Sequence, residues 1–252
     1  MKKIFTLGAL ALFLMTSCSS DDSSAPVDNG NETGTVLLKK TISTDEDGYE
    51  YTTNYIYDGN KLTSVTDSEN STMNLFYEND LLIKIEYFEN NIITQRDLFT
   101  YNSNNELATY NMLDLDEDWA YKTLFTHNSN GTVSTIEYNG DLTEQTNLSG
   151  NGIVTYTNNN ITNYTTTSPG GYEVSWTYTF DDKNSPLKNI TSFDAFNLAY
   201  QEGGHNNILS TINEAYNEAS SATYTYNSDN YPVTSIEIED DGYTTSTQYF
   251  YE

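Results

Sequence analysis

Few residues in this chain are equipped for chemistry. There is one cysteine, Cys18, so neither an intramolecular disulfide nor a cysteine metal cluster can form. Of the two histidines, His127 stands where related segments carry tyrosine and is expected to be packed and hydrogen-bonded. His205 follows Gly203-Gly204 in a loop, with no partner at ligand or catalytic spacing. Carboxylates gather at Asp45-Glu46-Asp47, Asp114-Leu115-Asp116-Glu117-Asp118, Asp181-Asp182 and Glu239-Asp240-Asp241. Calcium needs several oxygen ligands from a fixed loop, and Asp114, Asp116 and Asp118 are the candidates. They lack the spacing and glycine of an EF-hand, so a solvated turn is the expectation. Trp119 and Trp176 are the residues that could stack on a sugar ring. Both share strand parity with tyrosines, which favours packing in a core. No Ser-His-Asp order, phosphate loop or zinc spacing occurs, so no catalytic residue, cofactor or metal is assigned.

Cys18 has a different chemistry available. Met1-Lys2-Lys3 is a basic start, and Ile4 to Met15 is an apolar run of secretory-signal length, short for a membrane span. Leu14-Met15-Thr16-Ser17-Cys18 resembles a bacterial lipobox, with Met15 where that motif prefers leucine. The resemblance implies a signal peptide over residues 1–17 and diacylation of Cys18. Two or three acyl chains anchor stably where one is marginal. Ser19-Ser20-Asp21-Asp22 resembles the acidic export tag of Bacteroidetes surface lipoproteins, which implies an outer-membrane anchor displayed at the cell surface. A periplasm-facing anchor is the alternative. Residues 18–34 are polar, rich in Ser, Asp, Asn and Gly, and read as a disordered tether.

From Thr35 onward one pattern recurs. Tyr55-Ile56-Tyr57-Asp58-Gly59-Asn60-Lys61-Leu62-Thr63-Ser64-Val65 places aromatics at i and i+2, then a turn, then an apolar return strand, which is a β-hairpin. Aligned copies end their first strand on Tyr57, Tyr77, Tyr101, His127, Phe180, Tyr226 and Tyr251. Degenerate copies are read around Leu148 to Val154 and His205 to Ile212. Tyr172, Val174, Trp176, Tyr178 and Phe180 alternate with Glu173, Ser175, Thr177 and Thr179, giving one apolar and one polar face. The return strands carry apolar pairs three residues apart: Leu62 and Val65, Leu82 and Ile85, Val133 and Ile136, Leu187 and Ile190, Leu209 and Ile212, Val233 and Ile236. Such a spacing needs a bulge to put both on one face. The chain ends on a first-strand motif, Tyr243 to Tyr251, which must be covered and is expected beside its preceding strand and Thr35 to Ile42. Ser192 to Gly203 and Asn213 to Ala219 break the pattern and could hold a short helix or a long excursion.

The fold expected is all-β: one domain over residues 35–252, an antiparallel meander of about 16–19 short strands curled into a barrel-like or flattened shell. These units resemble the tyrosine-aspartate (YD) repeats of Rhs-type bacterial surface proteins, most closely at Tyr55 to Leu62. With the Asn-rich turns, they also resemble uncharacterised Bacteroidetes lipoproteins with a porin-like β fold. The resemblance implies a shape and carries no catalytic residue.

Ten basic residues against 37 acidic ones give a formal charge of −27, which repels phosphate backbones and argues against nucleic acid as a partner. The leading reading is a non-enzymatic, surface-anchored lipoprotein that binds a glycan or protein partner. A structural or adhesive scaffold is the alternative, with an outer-membrane barrel or an enzyme behind both.

Overall fold

A computed structural model describes residues 35–252. The expected signal peptide (residues 1–17) and tether (residues 18–34), with Cys18, lie outside those residues. The first half of the chain forms β1 (Leu38–Asp45), β2 (Glu50–Asp58), β3 (Lys61–Asp67), β4 (Ser71–Glu78), β5 (Leu81–Glu89), β6 (Ile92–Tyr101), β7 (Leu107–Asp114) and β8 (Trp119–His127). The second forms β9 (Val133–Gly140), β10 (Gln145–Thr157), β11 (Asn160–Thr167), β12 (Glu173–Phe180), β13 (Ile208–Asn213), β14 (Glu218–Tyr226), β15 (Pro232–Ile238) and β16 (Thr244–Tyr251). A helix, α1 (Phe193–Tyr200), lies between β12 and β13. Every strand pairs antiparallel with its sequence neighbours, and β16 also pairs with β1, so the meander closes into a barrel. Closure removes the edge that the last strand would otherwise expose. Leu37 and Glu252 exchange backbone hydrogen bonds at the seam.

Strand parity follows the alternation in the sequence. Tyr51, Thr53, Tyr55 and Tyr57 of β2 point into the barrel, while Thr52, Asn54 and Ile56 point out; Tyr55 is buried and Ile56 exposed. Hairpins close at Asn79-Asp80, Asn90-Asn91 and Asn158-Asn159, with φ between 49° and 67° at all six residues. Positive φ at both turn residues suits the twist of antiparallel strands, and Asn and Asp tolerate it.

Bulges realign two of the apolar pairs. Tyr55 faces Val65 while Tyr57 faces Leu62, so Thr63 is the extra residue, and Ile83 plays that part between Leu82 and Lys84. Leu62, Val65, Leu82 and Ile85 are all buried as a result. Other copies differ. Val133 and Ile136 sit in unbroken register, so Ile136 points outward. In β13 and β15 the extra residues are Leu209 and Val233, which turns Ile212 and Ile236 to the outside. Leu187 and Ile190 are buried but belong to no strand. Leu148 to Val154 is the middle of β10 and not a hairpin; its glycines serve close packing, described below. Asn213 to Ala219 holds the turn of residues 214–217 between β13 and β14, with Asn213 paired to Glu218 at its base.

A barrel of this many strands has a lumen too wide for its own side chains to fill. Residues 181–207, between β12 and β13, fold back across one end and take up that space. The Thr191 N–H donates to Asn60 O (2.9 Å), the Asn184 N–H to Asn230 O (2.9 Å) and the His205 N–H to Asn159 O (3.4 Å). Ser192 Oγ donates to Asp80 O (3.0 Å) and accepts from the Leu82 N–H (3.0 Å), and Asn189 Nδ2 donates to Val36 O (2.8 Å). These partners lie on hairpin ends around one rim, so the segment is a plug. Its Leu187, Ile190, Phe193, Leu198 and Ala199 join Tyr55, Leu75, Phe99, Phe125 and Tyr178 in one continuous core. Each such leucine, isoleucine or phenylalanine contributes about 1.5–3 kcal/mol on burial.

The outer wall is a field of Thr, Ser and Asn with apolar residues set in it singly or in cross-strand pairs such as Leu124 and Ile136. Leu98 lies between Lys84 and Asn111, Ile42 between Gln248 and Thr52, and Ile236 between Ser246 and Thr223. Lys84 and Arg96 both reach Glu86, at 3.0 and 3.1 Å. Lys84 and Lys40 lie over the rings of Phe76 and Phe250. The continuous apolar belt that a lipid-embedded barrel presents is not formed by the described strands.

Candidate functional site

Away from the plug the strands are joined by short turns that surround the lumen. What lines it follows from the inward parity: aromatic rings, hydroxyls and carboxylates.

The floor is set by α1. Gln201 takes φ 56° and ends the helix, and Tyr200 just before it points at β5, β6 and β7. There the hydroxyls of Tyr200 (2.6 Å), Tyr110 (3.0 Å) and Tyr87 (3.1 Å) all donate to Oδ2 of Asp97, and Gln95 Nε2 donates to Oδ1 (2.8 Å). Asp97 is fully buried, and this burial raises its pKa against the pull of its four donors. The carboxylate therefore works as a fastener between plug and wall.

A second knot lies on β9 to β11. Glu137, buried, accepts from the Tyr164 hydroxyl, from Thr135 Oγ1 (3.2 Å) and from Thr166 Oγ1 (3.1 Å). Gly150 and Gly152 make the room. A Cβ at Gly150 would lie 2.8 Å from Glu137 Oε2, and one at Gly152 2.5 Å from Thr135 Oγ1.

Two further lumen carboxylates are not tied down. Glu202 follows the end of α1, where water reaches it although surrounding protein desolvates it enough to raise its pKa. Glu237, facing inward from β15 opposite Thr245, is pushed up to about 7, first by burial and then by repulsion from Glu239 and Glu202. Neither side chain has a hydrogen-bond or ionic partner among the described residues.

The tryptophans face this lumen from two heights. Trp176 on β12 stacks on its register partner Tyr164, with ring centroids 5.5 Å apart and planes 13° apart. Trp119 begins β8 at the open rim, lies along Tyr121 (6.3 Å, 22°) and is 39% exposed. The parity argument placed both on the tyrosine face; at the open rim that face is wet, so Trp119 is not packed away.

The remaining candidates lie elsewhere. Asp114, Asp116 and Asp118 form the β7–β8 turn, where Asp114 Oδ1 accepts from the N–H groups of Asp116 (3.2 Å) and Glu117 (3.0 Å). No group of three or more His, Cys, Asp or Glu able to hold a metal ion occurs among the described residues. His127 donates through Nε2 to Leu107 O, and His205 pairs with Asp194 on the plug (2.9 Å). Sequence reasoning missed Asp97, Glu137, Glu202 and Glu237. An acidic residue at an inward position of an alternating strand was the available signal for the two strand carboxylates of β6 and β9 and for Glu237.

No protein-family model matches the chain, and no curated protein matches it. Solved structures do. A porin-like protein from Bacteroides uniformis aligns with a TM-score of 0.54 at 15% identity, over 85% of this chain and 96% of that one. A porin-like protein from Bacteroides vulgatus aligns with a TM-score of 0.55 at 13% identity, over 86% and 99%. The likeness is one of fold. It covers nearly the whole barrel, and at this identity it transfers no residue roles.

Proposed function

We propose that this protein is a non-enzymatic lipoprotein, held at the outer membrane through Cys18 and displayed at the cell surface, that takes carbohydrate into the open end of its plugged barrel. The observation that carries the reading is the Trp119–Tyr121 stack, an exposed aromatic platform on the inner face of the open rim, with Trp176–Tyr164 further in. Flat rings beside hydroxyls and carboxylates suit the apolar face and polar edges of a sugar. The plug supports a cup rather than a conduit, and the polar outer wall supports a barrel standing in water rather than in lipid.

Glycan-array and titration calorimetry measurements on residues 35–252 test it. Binding of an oligosaccharide that Trp119→Ala weakens about tenfold or more, and that outward Ile236→Ala leaves unchanged, is the expected result. Indifference to Trp119→Ala overturns the site, and release of new reducing ends overturns the non-enzymatic reading. Palmitate incorporation lost in Cys18→Ala, with protease shaving of intact cells, tests the anchor and its display.

A further inference from the structure

Three turns at the open rim are built alike. In residues 45–49, 168–172 and 239–243 the first N–H donates to the fifth carbonyl oxygen and the fourth N–H to the first, all at 2.9–3.1 Å. The fourth residue is Gly48, Gly171 or Gly242, with φ of 83°, 82° and 88°, which glycine alone adopts freely. The fifth is Tyr49, Tyr172 or Tyr243. Nothing in the turn requires tyrosine there: at the plugged rim residues 102–106 and 128–132 make the same two bonds and end in Glu106 and Thr132. Where residues 227–231 at that rim do end in tyrosine, Tyr231 is buried against the ring of Tyr251. At the open rim, by contrast, Tyr172 and Tyr49 are 54% and 48% exposed. With Tyr216 of the β13–β14 turn (56%) they are the three most exposed aromatic side chains among the described residues.

These tyrosines fall on consecutive turns. Because β16 closes on β1, the β11–β12, β13–β14, β15–β16 and β1–β2 turns follow one another round the rim, and Tyr172, Tyr216, Tyr243 and Tyr49 form one arc. The Tyr172 hydroxyl donates to Ala215 O of the next turn (3.5 Å), and the Tyr49 hydroxyl to Glu69 Oε1 of the β3–β4 turn (3.0 Å), so both rings lie along the rim. The arc also carries Glu46 and Asp47, Glu214, and Glu239-Asp240-Asp241, all exposed. No basic residue belongs to an open-rim turn. Lys39 and Lys61 pair at the plugged rim with Glu252 and Asp80, Lys183 and Lys188 lie in the plug, and Lys40, Lys84, Arg96 and Lys122 lie within strands.

Tyrosine offers a large contact area at little cost in side-chain entropy and is enriched where proteins bind one another. Small-molecule sites are concave, whereas turn tips project, so the arc suits a macromolecule. Its carboxylates repel nucleic acid and anionic lipid, and they attract arginine and lysine, whose charged heads also lie favourably over tyrosine rings. We propose that the arc from the β11–β12 turn to the β1–β2 turn docks a protein partner through a basic, arginine- or lysine-bearing surface. This goes beyond the carbohydrate reading, whose Trp119 follows the β7–β8 turn outside the arc, and the two stand or fall separately.

The probes are peptides selected from a random phage library on the full chain in detergent micelles at physiological salt, with affinities then read by fluorescence anisotropy. The selected peptides should be rich in arginine and lysine. Tyr49→Ser/Tyr172→Ser/Tyr216→Ser, which leaves the net charge unaltered, should weaken them about tenfold or more. Glu46→Gln/Asp47→Asn/Glu214→Gln should weaken them too and flatten the salt dependence. Glu106→Gln at the plugged rim should change nothing. Selected peptides without basic residues, binding that survives either rim variant, equal weakening by Glu106→Gln, or no peptide enriched above background overturns the docking arc. Circular dichroism melting checks that the variants are folded, and if the triple tyrosine variant melts early, Tyr216→Ser alone carries the comparison.

Discussion

His127 Nε2 donates to the carbonyl oxygen of Leu107 at 2.9 Å, the bond that tyrosine hydroxyls make elsewhere in this barrel. Tyr57 reaches Leu38 O (2.7 Å), Tyr77 reaches Leu62 O (3.1 Å) and Tyr101 reaches Leu82 O (2.8 Å). In each case the last ring of a first strand satisfies a backbone acceptor at the start of an earlier strand. Histidine substitutes because its ring carries a donor at comparable reach. Tyr77→Phe should cost about 1 kcal/mol and His127→Phe a similar amount, with His127→Tyr closer to wild type. Urea unfolding midpoints measure all three, and no loss in either Phe variant would show these bonds to be idle.

Tyr200 ties the plug to Asp97, so loosening that contact should loosen the plug before the barrel. Tyr200→Phe is expected to lose about 1–2 kcal/mol, a hydrogen bond to a charged group, and to speed proteolysis within residues 181–207. Limited digestion followed by mass spectrometry reads the cleavage sites. Cleavage spread evenly over the hairpin turns would contradict the assignment.

Gly152 is needed for closeness rather than for its backbone angle. A Cβ there meets Thr135 Oγ1 at 2.5 Å and the Thr165 carbonyl oxygen at 2.7 Å, whereas at Gly170 the nearest atom is 3.8 Å away. Gly152→Ala should destabilise by about 1–3 kcal/mol through overpacking, with Gly170→Ala within about 0.5 kcal/mol. Thermal melts of the pair decide it.

The lumen carboxylates give stability a pH dependence. Asp97, Glu202 and Glu237 all have folded-state pKa values raised above their ordinary ones, Glu237 to about 7. Between the ordinary carboxylate range and about pH 7 the folded chain holds more protons than the unfolded chain at Glu237, so stability falls as pH rises through that window and levels off above it. Glu237→Gln should flatten this slope, by an amount on the order of 1 kcal/mol between pH 5 and pH 8. Unfolding free energies across that range supply the test, and an unchanged slope would remove Glu237 as its source.

The face assignment can be checked on β12. Trp176→Ala should cost about 3 kcal/mol or more, since it removes an inward ring stacked on Tyr164, and Thr177→Ala on the outer wall about 0.5 kcal/mol or less. Equal tolerance at the two positions would reverse inside and outside.

Much of the fold was legible because period two is a local signal. Tyr172 to Phe180 announces a strand with one apolar face, and Asn-rich pairs announce where chains turn. The bulges beside Leu62 and Leu82 were readable from spacing alone. The plug was not, because nothing in Leu187 and Ile190 distinguishes an apolar pair on a return strand from one packed inside a barrel. The site was less legible still. Glu137 becomes special only when Gly150, Gly152 and Tyr164 arrive from other strands, and Glu202 only when α1 has been placed inside the wall. Those are contacts between distant segments, and alternation carries no trace of them.

The seam has a bearing on posture. Leu37 leaves β1 at the rim that residues 181–207 cover, beside Glu252. A chain fastened through residues ahead of Leu37 is therefore fastened by its plugged end. Trp119 and the turns around it then face away from whatever surface holds the protein.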